Sequence, residues 1–171
     1  MLDNYIFDGI NSALTKLLNQ KLQGVGRVAN MLWLCFGDEI NSINLKGEPV
    51  VKYKYALHIQ CNWEIIDGDK IILNQDDFYR HRDEMSIKSF DFEDFDDSRF
   101  DEFSASFNSI IKVNPVYVSS FEIDIVGGFS LLMDNNYLIR VHPYGLTEGE
   151  SWRFLMADSS ENHFVVFEDD F

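Results

Sequence analysis

Positive charge is scarce in this 171-residue sequence: 14 Lys plus Arg stand against 29 Asp plus Glu, a formal charge of -15 with histidine neutral. Such a balance repels phosphate backbones and anionic headgroups within a Debye length, so neither nucleic acid nor a membrane surface is an expected partner, and a basic protein is. Cysteine is nearly absent. Cys35 and Cys61 are the two present, each inside an apolar strand-like run, which suits buried reduced thiols and excludes a disulfide framework. Long hydrophobic runs are missing as well: residues 28–36 are interrupted by Asn30 and are too short to cross a bilayer. Residues 1–4 carry no basic stretch ahead of an apolar segment, so no secretory signal is read and a cytoplasmic location is expected.

The motifs of common enzymes are missing too. No phosphate-binding loop, Gly-x-Ser-x-Gly elbow or His-Glu-x-x-His pattern occurs, and Gly24-Val25-Gly26 follows a helical pattern and lacks a third glycine. No cofactor is implied, and the chain is expected not to be an enzyme. His58 and Cys61 have the spacing of a zinc half-site, but residues three apart on one strand project to opposite faces, so no metal is expected there. The acidic stretch lacks the glycine and ligand spacing of a calcium loop.

Apolar material is plentiful. Hydrophobic residues make up 46% and aromatics 15%, enough to fill the core of a single domain and to exclude a disordered chain. Residues 5–22 have helical spacing, ending at Gly24, and residues 27–36 read as a strand covered on both faces, followed by a loop to Pro49. From Lys52 to Ile65, Tyr53, Tyr55, Leu57, Ile59, Cys61, Trp63 and Ile65 alternate with polar residues, which predicts one long strand with one face buried. Asp67-Gly68 then turns it into an antiparallel partner at 71–73. Residues 74–97 read as a long surface connection. Ser98 caps a second helix burying Phe100, Phe103, Phe107, Ile110 and Ile111 and ending before Pro115. Strands are expected at 116–126, 129–133, 137–142, 151–157 and 163–167. The sum is an α+β fold, a largely antiparallel β-sheet with two packed helices in a single domain spanning 1–171.

Four features are candidates for function. The first is the strip Asp91, Phe92, Glu93, Asp94, Phe95, Asp96 and Asp97, where aromatics interleave with carboxylates; from Asp91 to Glu102 seven acids face one base, Arg99. It reads as a contact for a basic groove with phenylalanine anchors, or as a solvated loop whose rings tuck into the core. The second is the polar strand face His58, Gln60, Asn62 and Glu64, with Lys54 in the same row, which reads as a ligand face or an ordinary wet sheet face. Arg80 and His81 from the following loop are further candidates for it. The third, Glu122 with Asp124, is a carboxylate pair on one face, spaced by ~7 Å. The fourth is a resemblance. Residues 26–37 (GRVANMLWLCFG), 55–63 (YALHIQCNW), 152–154 (WRF) and 163–166 (HFVV) are similar to a group of small uncharacterised bacterial proteins that resemble the immunity proteins encoded beside polymorphic toxins. The resemblance spans most of the chain from Gly26 onward and implies a protein that binds and inhibits a toxin-like partner. It assigns no site residue.

Overall fold

The computed structural model describes residues 4–44, 46–83, 97–143, 149–157 and 163–168. The helix α1 (Asn4–Thr15) precedes β1 (Leu22–Val28), β2 (Met31–Ile43), β3 (Pro49–Ile59), β4 (Asn62–Asp67) and β5 (Lys70–Asn74); α2 (Arg99–Val113) is followed by β6 (Val118–Ile123), β7 (Phe129–Met133), β8 (Tyr137–His142), β9 (Glu150–Met156) and β10 (His163–Phe167). The strands form two five-stranded sheets, β1-β2-β3-β9-β10 and β5-β4-β8-β7-β6. Every pairing is antiparallel. The α+β class with two helices and largely antiparallel strands therefore holds, with two sheets in place of one.

The strand expected from Lys52 to Ile65 is two strands. The chain bends at Gln60 and Cys61, whose backbone amides both donate to the carbonyl of Ser151 at 2.9 and 3.1 Å, and passes from the first sheet to the second. Ile59, Cys61, Trp63 and Ile65 stay buried across the bend. Both halves face one core, so the period of two never breaks and nothing in the pattern marks the switch.

Other boundaries move for local reasons. Helix α1 stops at Thr15, and Asn19 takes a left-handed φ of 61° before the chain enters β1. Residues 27–36 form a hairpin: Val28 pairs with Met31 around Ala29, whose φ is 51°. Ala29 is no turn signal and Asn30, the only polar residue in 28–36, is the single sign of the turn, too little to break the apolar pattern into two strands. The expected loop before Pro49 continues β2 to Ile43, paired with β3. The Asp67-Gly68 turn is present, with Gly68 at φ 60°. Within the expected surface connection, Gln75–Phe78 form a short 3-10 turn that buries Phe78 completely.

Helix α2 starts as the pattern predicts. The Ser98 side chain accepts from the Asp101 amide and the Asp101 side chain accepts from the Ser98 amide, a reciprocal cap. Phe100, Phe107 and Ile111 are buried, whereas Ile110 is 52% exposed, contrary to expectation. Asn108 ties the helix to the sheet edge: its Oδ1 accepts from Val25 N at 2.9 Å and its Nδ2 donates to Val25 O at 2.8 Å. A buried pair reinforces the joint, with Arg27 Nη2 and Nε at 2.7 and 2.8 Å from the two Asp101 oxygens. One cluster of buried residues draws on both helices and both sheets, and the ring contact of Phe129 with Trp152, 4.9 Å between centroids, joins the sheets across it.

Candidate functional site

The described residues on either side of the acidic stretch, 80–82 and 97–99, meet at one place on the body. Arg82 N donates to Asp97 O at 3.0 Å and Arg99 N donates to Arg80 O at 2.8 Å, flanking a β-bridge between His81 and Ser98. Asp91, Phe92, Glu93, Asp94, Phe95 and Asp96 lie outside the described residues; Asp97 is described, half-exposed, with its carboxylate 3.7 Å from Arg82. Beneath this base sits Asp77, a buried carboxylate. Its Oδ2 accepts from Asn74 N at 2.9 Å, and its Oδ1 lies 3.5 Å from Arg80 and 3.6 Å from Arg99, one arginine from each side of the base. Below it Phe78, Phe100 and Trp63 pack with centroids 4.7 to 5.7 Å apart, Phe100 edge to face with the other two, and the Arg27 guanidinium lies 5.9 Å from the Phe78 ring. Arg80 and His81 thus belong to the joint with Ser98 and Arg99 and not to the His58 face.

The polar face read from residues 58–64 is divided by the bend. Asn62 and Glu64 belong to β4, where Glu64 lies 3.5 Å from Arg140 and 3.9 Å from His142 of β8. His58 and Gln60 remain with the first sheet. There the register makes two rows across four strands: Trp33, His58, Arg153 and Val165 in one, Cys35, Ala56, Leu155 and His163 in the next. Arg153 is held by Glu150, with Nε 2.8 Å from Oε1 and Nη2 on Oε2, and its Nη1 lies 3.3 Å from His163 Nδ1.

Charge and burial tune this cluster. The hydrogen bond from Arg153 holds the Glu150 carboxyl below its usual range against the opposing effect of burial, with the Arg153 charge and a bond from Gln60 adding to it. Burial pushes the His58 imidazole below its ordinary value; Arg153 and His163 push it further down, and Glu150 partly offsets them. His58 is therefore predominantly neutral at physiological pH.

These rows border an open groove of about 500 Å³, lined by Trp33, Lys52, Tyr53, Ala56, His58 and Leu155 among others. Ala56, the smallest side chain in its row, forms the low point between taller neighbours. Cys35 also lines it, its thiol pushed up to about 11 by burial, while burial pushes the Cys61 thiol up to about 12; both thiols are free. Neither is an activated nucleophile.

Glu122 and Asp124 do not form a working pair. Asp124 lies beyond the end of β6, and its Oδ1 accepts from Val126 N at 2.9 Å and Gly128 N at 2.7 Å, which makes it a turn former. Among the described residues no group of three or more His, Cys, Asp or Glu side chains is arranged to hold a metal, and no helix is long and apolar enough to cross a membrane.

Residue patterns alone did not single out Lys52, Ala56, Arg153, Leu155 or His163 as groove residues. The alternation in 151–157 and 163–167 does put Arg153 opposite Trp152 and Leu155 opposite Phe154. What it lacks is the pairing order that brings β9 beside β3. In comparisons with known proteins, no family model, curated protein or solved structure matches this chain.

Proposed function

We propose that this chain is an acidic protein-binding domain of the immunity type, one that masks a basic surface on a toxin-like or nuclease-like partner through residues 91–97. The observation that supports the reading is the joint on either side of the acidic segment: His81 and Ser98 form a β-bridge, next to buried Asp77 and a cluster of three large aromatic rings. Binding segments placed on a rigid base lose less entropy when they engage a partner. The formal charge of -15 supports it independently, because a field of one sign accelerates encounter with a surface of the other. The resemblance to immunity proteins points the same way.

The test is coexpression with the product of an adjacent toxin-like gene, scoring survival, together with purification of the pair. Protection and a stable complex are expected; growth arrest with no complex overturns the reading. Replacing Asp94, Asp96 and Asp97 by Asn should lower the association rate by about tenfold at low ionic strength and flatten its dependence on salt. Dissociation should change less, since charges at the edge of an interface act mainly on encounter.

A further inference from the structure

We propose that the outer face of the second sheet is an interaction surface occupied by a second copy of this chain, packed face to face about a two-fold axis over β7. The surface is separate from residues 91–97 and does not rest on the toxin-partner reading. Side chains alternate across a strand, so Ile65, Leu73, Leu131 and Ile139 point into the core and the residues between them point away from it. The register sets those outward residues in two rows. Ser120, Leu132, Leu138, Ile66 and Ile71 form one, and Glu122, Ser130, Arg140, Glu64 and Asn74 form the next. The first row is apolar from β7 to β5, although the outward residues of a half-wet antiparallel sheet are ordinarily polar. Leu132 and Ile71 are 39% and 47% exposed, and Ile66 is buried without belonging to the core cluster. Both helices bury their apolar residues in that cluster, on the inward side.

The two rows are complementary to themselves. An axis parallel to the strands and over β7 lays β6 of one copy on β8 of the other and β7 on β7. Residues of one row keep their height along the strand, so Glu122 of each copy meets Arg140 of the other, and Leu138 meets Ser120. A depression of about 250 Å³ opens between Ser120, Ser130, Leu132 and Leu138, where the two serines leave room for a leucine from the facing sheet. Arg140 already lies 3.5 Å from Glu64, which places its guanidinium between two carboxylates. The charges also select the axis. Over β8 it would set Arg140 on Arg140, and between β7 and β8 it would set Glu64 on Glu122.

A basic partner is less well served by this face. Its two rows hold a single guanidinium against the carboxylates of Glu122 and Glu64, close to neutral in a chain of net charge -15. Two acidic copies can therefore meet here with little local repulsion, and their long-range repulsion is screened beyond about 8 Å at physiological salt. Aligned sheets pack about 10 Å apart with their facing side chains interdigitated. The overlap of β6, β7 and β8 is small, so the dimer is weak and reversible.

The experiment is sedimentation velocity on the full chain from about 5 µM to about 500 µM in about 0.15 M sodium chloride. A monomer–dimer equilibrium with a Kd of about 10–100 µM is expected. Leu132→Lys, at an exposed position, should weaken it by at least about tenfold. Glu122→Arg and Arg140→Glu should each weaken self-association by about tenfold. An equimolar mixture of those two variants should recover a dimer within about threefold of the parent, because both contacts between the copies then pair Arg with Glu. Where Arg140→Glu loses the parent's circular dichroism, Leu132→Lys and Glu122→Arg decide alone. A chain that stays monomeric to about 500 µM overturns the proposal. So does a dimer indifferent to Leu132→Lys, or a mixture of folded variants no tighter than its components. If the free chain stays monomeric and Leu132→Lys weakens the complex with a coexpressed toxin-like protein, the face belongs to that protein and the proposal fails.

Discussion

His58 is placed by backbone register between Trp33 on one side and Arg153 on the other, so its environment is set by residues 25 and 95 positions away in the chain. Burial comes first among the causes that lower its pKa, followed by the Arg153 charge beside it. The folded protein resists protonation of this ring and the unfolded chain does not. His58 therefore imposes no penalty above its ordinary value of 6.5, and stability is lost as pH falls from there through the lower folded value. Replacement by Gln removes the titration. Urea denaturation of the His58→Gln variant should show its stability gaining on the parent between pH 7.5 and pH 5.5; a constant difference would mean the ring titrates alike in both states. Asp101 behaves in the same sense at lower pH: burial alone would raise its pKa, but hydrogen bonds from Arg27 and Ser98 and the Arg27 charge outweigh it. Its contribution is present above the ordinary carboxylate range and is lost as pH falls through the depressed value.

At the scale of elements, the joint between α2 and β1 shows what could be read in advance and what could not. Ser98 and Asp101 are three residues apart, so the cap is a local signal and the helix start is legible from the residues alone. The same holds for Asp67-Gly68, where a turn needs a positive φ and the sequence offers glycine. Asn108 gives no such sign. It looks like an ordinary polar helix residue, yet it supplies both hydrogen bonds to the outer edge of Val25, 83 positions earlier in the chain. The split of the expected long strand at Gln60 and Cys61 is hidden because the core lies on the same side of both halves. The groove is hidden because the order β2-β3-β9-β10 is a property of pairing and not of periodicity. Asn108→Ala leaves a backbone amide and a carbonyl at the sheet edge without their partners, and a loss of about 1–3 kcal/mol in unfolding free energy is expected. Amide exchange at Val25 should quicken in the same variant. Unchanged exchange would show that the edge is held by β2 alone.

For the molecule as a whole, the excess of acid over base sets two responses to salt that run in opposite directions. Close carboxylate pairs include buried Asp101 with Arg27 and Glu150 with Arg153, while those made by Asp76, Asp97 and Glu64 are looser, at 3.5 Å or more, with at least one partly exposed partner. Surface pairs of that kind contribute little, about 0–1 kcal/mol each, so mutual repulsion among the remaining acids governs the long-range field. Raising ionic strength from about 10 mM to about 0.5 M shortens the Debye length from roughly 30 Å to less than 10 Å and relieves that repulsion in the folded chain. The melting temperature of the isolated protein should therefore rise with sodium chloride, by about 2–4 °C for each kcal/mol recovered in a chain of this size. Association with a basic partner draws on the same field, and its rate should fall over the same salt range. Both can be measured on one preparation, by thermal scans and by stopped-flow mixing. A melting temperature that drops with salt would mean that the attractive pairs outweigh the repulsion. An association rate indifferent to salt would mean that the partner contact is apolar, made by rings such as Phe92 and Phe95 and not by the acids beside them.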